Sequence, residues 1–359
     1  TESALLALLH HEPSLVLKVC RSAFCQAEAR GNRQAALHAL YLACVTLDTS
    51  FERLLADRVL AVVRERAQGL GPSRLSVRIA STHATQLSEH GEHTQAIVVR
   101  QGALDTAMAL GDVRLTYSAL GALAISALEA GEAELALSLC EQQGHLLKTG
   151  NVALPAPSPH RANTMAMAWQ QIARAREAAG DRLASHAALR SARELAVQAI
   201  ALATDDRAAL HCLETLVLIL LQLDQSGEAR AQVERCTARL SRVPSVGSVL
   251  WCVLGLALAR IDVHDGSVNA QTLRTLQTID GLPSEKASDL LLYGGEVRQL
   301  LLDAQERLGH YEQALISHQR ATQWLADRNP AQSRQRLKRI RREVLAMRAE
   351  AVEFITHDL

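Results

Sequence analysis

Two stretches, Leu308-Gly309-His310-Tyr311-Glu312-Gln313-Ala314-Leu315 and Ala130-Gly131-Glu132-Ala133-Glu134-Leu135-Ala136-Leu137, carry the pattern that decides the fold. In each, a glycine closes an apolar-periodic run, a polar residue follows, and an Ala falls five residues past the Gly. Glycine takes the left-handed conformation that ends a helix, so each stretch reads as a helix stop followed at once by a new start. The same punctuation recurs at Gly91-Glu92, Gly180-Asp181, Ser226-Gly227-Glu228 and Asp265-Gly266, with glycine spacings of 40, 49, 47, 39 and 43 residues from Gly91 to Gly309. Two helix-length stretches fit inside each interval, so the period is that of a helical-hairpin solenoid.

Breaks of a second kind fall between these turns, at Gly31-Asn32, Gly69-Leu70-Gly71-Pro72, Gly111-Asp112, Thr204-Asp205-Asp206, Pro244 and Pro283. Together they predict helices over 13–29, 32–48, 51–68, 73–90, 92–109, 112–130 and 132–148, then 159–179, 182–202, 206–224, 227–242, 246–264, 267–280, 284–308 and 310–327. The interruption at 149–159 holds three of the eight prolines and is not helical throughout. Small residues recur where paired helices must approach: Ala96 and Ala103 after Gly91, Ser185 and Ala192 after Gly180, Ala314 and Ala321 after Gly309. Seven residues is two helical turns, which puts both small residues on one face.

Composition agrees with an all-α chain. Ala and Leu together make about a third of the 359 residues, whereas aromatics are 3%. Val, Ile and aromatics are too sparse for a large sheet. Residue 1 is Thr, so the chain is expected to be a piece of a longer protein. The seven cysteines stand singly and read as small buried hydrophobes of a reducing compartment, which predicts a cytoplasmic protein. No apolar run approaches the roughly 20 residues that span a bilayer, and no leader opens the chain, so no membrane partner is expected.

On these motifs the chain resembles tetratricopeptide repeats over residues 13–327, in the long and degenerate form found in bacterial signalling proteins. Its units exceed 34 residues and lack the standard Trp and Tyr positions, and Gln271 stands where Ala is expected. The resemblance implies a right-handed solenoid with a concave surface that takes a peptide or protein ligand.

Residues 328–359 form a second expected domain. Leu337, Ile340, Val344, Met347, Ala351 and Phe354 are spaced 3, 4, 3, 4 and 3, a heptad seam suited to a two-stranded coiled coil and a homodimer. Arg334, Arg336, Lys338, Arg339, Arg341 and Arg342 make the start of this segment basic. Without stacking aromatics they read as a solvated face rather than a nucleic-acid site. The tail Glu353-Phe354-Ile355-Thr356-His357-Asp358-Leu359 resembles the first half of the phosphoacceptor motif of bacterial histidine kinases. That resemblance implies His357 as phosphoacceptor and Asp358 as its orienting acid/base residue. It also implies ATP and Mg for a parent kinase, with a response regulator as partner. No nucleotide-binding loop lies within the chain, so no cofactor is expected in it and the segment alone is expected to be catalytically silent.

Other constellations read as structural. His83, His90 and His93 lack a completing Cys or carboxylate, so no metal site is expected, and Trp169, Trp251 and Trp324 read as core anchors. The leading expectation is therefore the sensory and dimerising region of a two-component histidine kinase. Its alternatives are a non-enzymatic repeat adaptor or peptide-responsive regulator, and a sensor feeding another output such as a diguanylate cyclase. The neutral total conceals a split: residues 328–359 hold 8 basic and 4 acidic side chains, leaving 30 basic and 34 acidic in residues 1–327.

Overall fold

The computed structural model describes residues 13–49, 53–89, 91–149, 158–203, 206–240, 248–281 and 294–328. Among the described residues there are fifteen α-helices and no strand. In chain order they are α1 Pro13–Ala29, α2 Arg33–Thr49, α3 Arg53–Ala67, α4 Arg74–Glu89, α5 His93–Ala109, α6 Val113–Glu129, α7 Ala133–Thr149 and α8 Pro159–Ala178. They continue as α9 Arg182–Leu202, α10 Asp206–Gln222, α11 Ser226–Leu240, α12 Ser248–Asp265, α13 Ala270–Asp280, α14 Gly294–Arg307 and α15 Tyr311–Arg328. Each answers to one helix expected from the sequence. Of the expected helix over 284–308, residues 284–293 lie outside the described residues, as do 150–157 of the Pro-rich interruption.

The turns form as the glycines require. At Gly131 (φ 87°) the glycine N–H donates to the Leu128 carbonyl at 3.0 Å and the Glu132 N–H to the Ala127 carbonyl at 2.8 Å. This is a Schellman closure, and the left-handed residue is one that glycine adopts without a Cβ penalty. One expected punctuation mark is corrected. Between α10 and α11 the left-handed residue is Asp224 (φ 56°), and Gly227 lies inside α11. Asp tolerates this conformation better than most residues with a Cβ, so the same closure forms there: Asp224 N–H to Leu221 carbonyl at 3.1 Å and Gln225 N–H to Leu220 carbonyl at 2.8 Å.

Contacts divide the chain into two compact units, residues 1–257 with 282–291, and residues 258–281 with 292–359. In the first unit each helix from α1 to α11 packs on its chain neighbours, and α4, α6, α8 and α10 also pack on one another in sequence. These four helices thus form one continuous layer. Its core is built from small side chains. Leu123, Ala124 and Ala127 of α6 meet Ala103, Leu104 and Ala107 of α5, Ala136, Leu139 and Cys140 of α7 and Ala168 of α8. Nearer the start, Leu37, Tyr41 and Cys44 of α2 bury against Leu60 and Val63 of α3 and Ile79 of α4. Ala96, Ala103, Ser185, Ala192 and Ala314 are all buried, as their spacing predicts, while the side chain of Ala321 lies outside the described set.

Close approach lets long polar side chains reach backbone carbonyls of neighbouring helices. Gln143 of α7 donates to the Tyr117 carbonyl of α6 at 2.8 Å, Arg161 of α8 to the Cys140 carbonyl of α7 at 2.7 Å, and Gln171 of α8 to the Leu128 carbonyl at 3.0 Å. Arg100 of α5 reaches the Ala122 carbonyl and Thr85. Glycine makes room for two of these contacts: Gly121 lies under the Gln143 amide and Gly144 under the Arg161 guanidinium.

In the second unit, Arg260 from the end of α12 donates to both carboxylate oxygens of Glu296 on α14, at 2.7 and 2.6 Å. Its side chain is only 3% exposed, so the pair stands where water screens the guanidinium little. The turn before α13 is longer than its counterparts, and Asn269 caps the helix through the Gln271 and Thr272 amides. The extra residue moves the buried position from Gln271, which is exposed, to Thr272, whose hydroxyl donates to Asp262 at 2.6 Å. This is why Gln271 departs from the repeat pattern.

Candidate functional site

Three even helices bring their first turns together. Each start has its own sequence logic. Asn32 accepts from the Ala35 amide at 3.0 Å to open α2, and Ser73 and Ser76 cap α4 reciprocally, at 3.0 and 3.1 Å. Asp112 accepts from the Leu115 amide at 3.1 Å to open α6. Across these starts run three adjoining clefts of about 520, 480 and 440 Å³, all of them lined by Arg74. The first lies over α2 and α4 with His38 and Arg78, the second over α4 and α6 with Arg114, and the third reaches Tyr41, Ser81, Thr82 and Ser118.

The chemistry of this groove is that of a binding surface for anions and amides. Among the described residues, the guanidinium groups of Arg74, Arg78 and Arg114 line this region together with the carboxylate of Asp112, where the helix N-termini add positive partial charge. Arg74 Nε donates to Asp112 at 2.6 Å. The backbone amide of Leu115 foremost, then the charge of Arg74, holds the Asp112 carboxyl below its ordinary value even though desolvation opposes the shift. Tyr41 and Thr82 share a hydroxyl contact at 3.3 Å that ties α2 to α4, and burial raises the Tyr41 phenol. A fourth cleft of about 550 Å³, over α5, α6 and α7, is of the opposite character, with Met108, Leu120 and Leu146 in its wall.

The expected site residues fall elsewhere. His357, Asp358 and the seam Leu337, Ile340, Val344, Met347, Ala351 and Phe354 lie outside the described residues. So does His90. His83 is half-buried, with its imidazole held below the ordinary value by burial and then by Arg64, and His93 is half-buried with Nδ1 enclosed. No group of side chains among the described residues could hold a metal ion. Two structural expectations are corrected. Trp251 is 40% exposed rather than a core anchor, and Cys25 is exposed while Cys236 and Cys252 are half-buried. Trp169 is half-buried, and the side chain of Trp324 lies outside the described set. Cys20, Cys44, Cys140 and Cys212 are buried as expected, and burial pushes the Cys140 thiol up to about 11. No described helix is long and apolar enough to cross a membrane.

The groove residues were not singled out by their sequence. They come from three helices some forty residues apart, and only the repeat register aligns them. Reciprocal serines at 73 and 76 and an Asp at 112 are visible as caps, but nothing local marks Arg74 or Arg114 as neighbours.

Stacked hairpins with an open, polar helix layer define a helical-repeat protein of tetratricopeptide-like fold. No protein-family model matches the chain, and no curated protein matches it in sequence. Solved structures do match in fold. A Rap protein complexed with Competence and Sporulation Factor is similar at 13% identity and a TM-score of 0.57, over 84% of this chain and 80% of that one. The apo form of the quorum sensor NprR from B. thuringiensis is similar at 13% identity and a TM-score of 0.56, over 90% of this chain and 92% of that one.

Proposed function

We propose that this chain is the ligand-binding repeat region of a non-enzymatic, cytoplasmic signalling regulator, and that it takes an acidic peptide or an acidic segment of a protein along the groove over α2, α4 and α6. The observation that carries this reading is the convergence of Arg74, Arg78 and Arg114 on three adjoining clefts, on a repeat region that is net acidic. Arginine pairs carboxylates with two parallel hydrogen bonds, and the hydroxyls of Ser81, Thr82 and Ser118 offer partners for a peptide backbone. The similarity in fold to a protein complexed with a signalling factor and to a quorum sensor supports a regulator in preference to an adaptor.

The test is fluorescence anisotropy with pools of acidic and of basic labelled decapeptides. The acidic pool should bind, binding should weaken with salt, and Arg114→Glu should weaken it by about tenfold or more. Equal binding of both pools, or indifference to Arg114→Glu, sinks the reading.

A second reading rests on Glu353 to Leu359: the output of the parent protein is a histidine kinase with His357 as phosphoacceptor, Asp358 as orienting residue, ATP and Mg as its cosubstrates and a response regulator downstream. It predicts acid-labile phosphate on His357 in the parent chain, absent from His357→Ala.

A further inference from the structure

The last described helix, α15, carries large apolar side chains that are exposed. In a solenoid each helix is covered on one side by its predecessor and on another by its successor, and the end of the array needs a polar outer face or a cap. α15 meets α14 through Ala314 and Ser317, both buried. Tyr311 and Leu315, one turn apart on the adjoining face, are 70% and 60% exposed, and Ile316 is 51% exposed.

In earlier repeats these positions are covered where they are apolar. Two and six residues past Gly91 stand His93 and Ile97, both half-buried; past Gly131 stand Ala133, buried, and Leu137, half-buried; past Gly180 they are the polar Arg182 and His186, and both are exposed. Ile97 and Leu137 pack against the core cluster that spans α4 to α8. Tyr311 and Leu315 hold the same two positions after Gly309, and no described helix covers them.

We infer that this face of α15 is the dock for the chain's own segment 331–359, laid on it as the next helix of the solenoid with Leu337, Ile340, Val344, Met347, Ala351 and Phe354 turned towards it. Three observations favour this occupant over a second copy of the chain. The seam follows the end of α15 directly, past Asn329-Pro330, a pair that breaks one helix and can start another. The one helix in this unit that follows its predecessor by a short turn and is seen to pack on it among the described residues, α15 on α14, gives the precedent for such a return. Tethering so close gives the segment an effective concentration in the millimolar range, which a second molecule does not reach at ordinary protein concentrations.

The experiment uses the full chain. Val344→Asp with Met347→Asp places two charges on the seam, and Ala346→Asp with Ala349→Asp places the same charges on the opposite side of the segment. Amide hydrogen exchange over residues 311–320 and sedimentation velocity at low and high protein concentration are measured for both variants and the parent. The expected result is a monomeric parent at both concentrations and exchange in α15 that speeds up by about tenfold or more in the seam variant alone. Unchanged exchange in the seam variant, or equal acceleration in the control, overturns the proposal. A dimeric parent that the seam variant dissociates overturns it as well, and assigns the seam to a second copy.

Discussion

The same substitution, Gly to Ala in a helix interior, should have opposite effects at two sites one helix apart. Gly102 lies on the exposed face of α5, and a Cβ added there meets no atom within 4 Å. Only backbone entropy and helix propensity act, so Gly102→Ala should stabilise the protein by about 0.5–1 kcal/mol. Gly121 lies in α6 under the side chain of Gln143, and its added Cβ would stand 2.6 Å from the amide nitrogen. A glutamine tip can swing away, so the cost is not a rigid clash. It is the loss of the 2.8 Å bond from Gln143 to the Tyr117 carbonyl at a side chain that is 4% exposed. Losing that bond and leaving the buried amide unpaired costs about 2–4 kcal/mol, against about 1 kcal/mol gained in propensity. Gly121→Ala should therefore destabilise by about 1–3 kcal/mol. In a unit of this size each kcal/mol moves the melting temperature by about 2–4 °C. Thermal unfolding followed by circular dichroism would show the opposite shifts. In a Gln143→Ala background the penalty at Gly121 should vanish. A Gly121→Ala protein that melts higher than its parent would refute the close approach of α6 and α7.

Three further outcomes follow from individual contacts. Asp112→Asn keeps an acceptor for the Leu115 amide but removes the carboxylate. The folded-state carboxyl lies below its ordinary value of 3.8, so its contribution is present above that pH and is lost as pH falls through the depressed value; the acid arm of the unfolding curve of α6 should flatten in the variant, as read by amide exchange against pH. Glu296→Gln removes one carboxylate from the buried Arg260 guanidinium, and because Glu296 itself is 39% exposed the loss should be about 1–3 kcal/mol, seen as faster exchange in α14; no change would mean that the remaining partners of Arg260 already satisfy it. Disulfide-exchange reagents should label Cys25 first and leave Cys44, Cys140 and Cys212 protected until unfolding, with Cys140 further slowed by a thiol pushed up to about 11.

The helices were legible because each carries its own stop and start. Gly131, Gly180 and Gly309 mark left-handed closures that any reader of backbone sterics can place, and Ala96, Ser185 and Ala314 announce the close pairing that follows. Local rules failed where an alternative residue met the same need. Asp224, not Gly227, holds the left-handed position, and an extra turn residue before α13 passes the buried position from Gln271 to Thr272. Trp251 was read as a core anchor from apolar neighbours in sequence, but those neighbours do not say which face of α12 turns inward.

The sequence by itself determined the secondary structure and the pairing of consecutive helices, since glycine conformation, capping and small-residue spacing act over a few residues. It also contained, from Leu337 to Phe354, apolar residues at heptad spacing. Tertiary structure alone decided which side chains come together. Arg74, Arg78 and Arg114 line one groove because the first turns of α2, α4 and α6 lie side by side, and Tyr311 and Leu315 become an open face because, among the described helices, α15 is covered by α14 alone. Both depend on distances between residues tens of positions apart in the chain, and those distances are set by the packing of the repeat rather than by any motif within it.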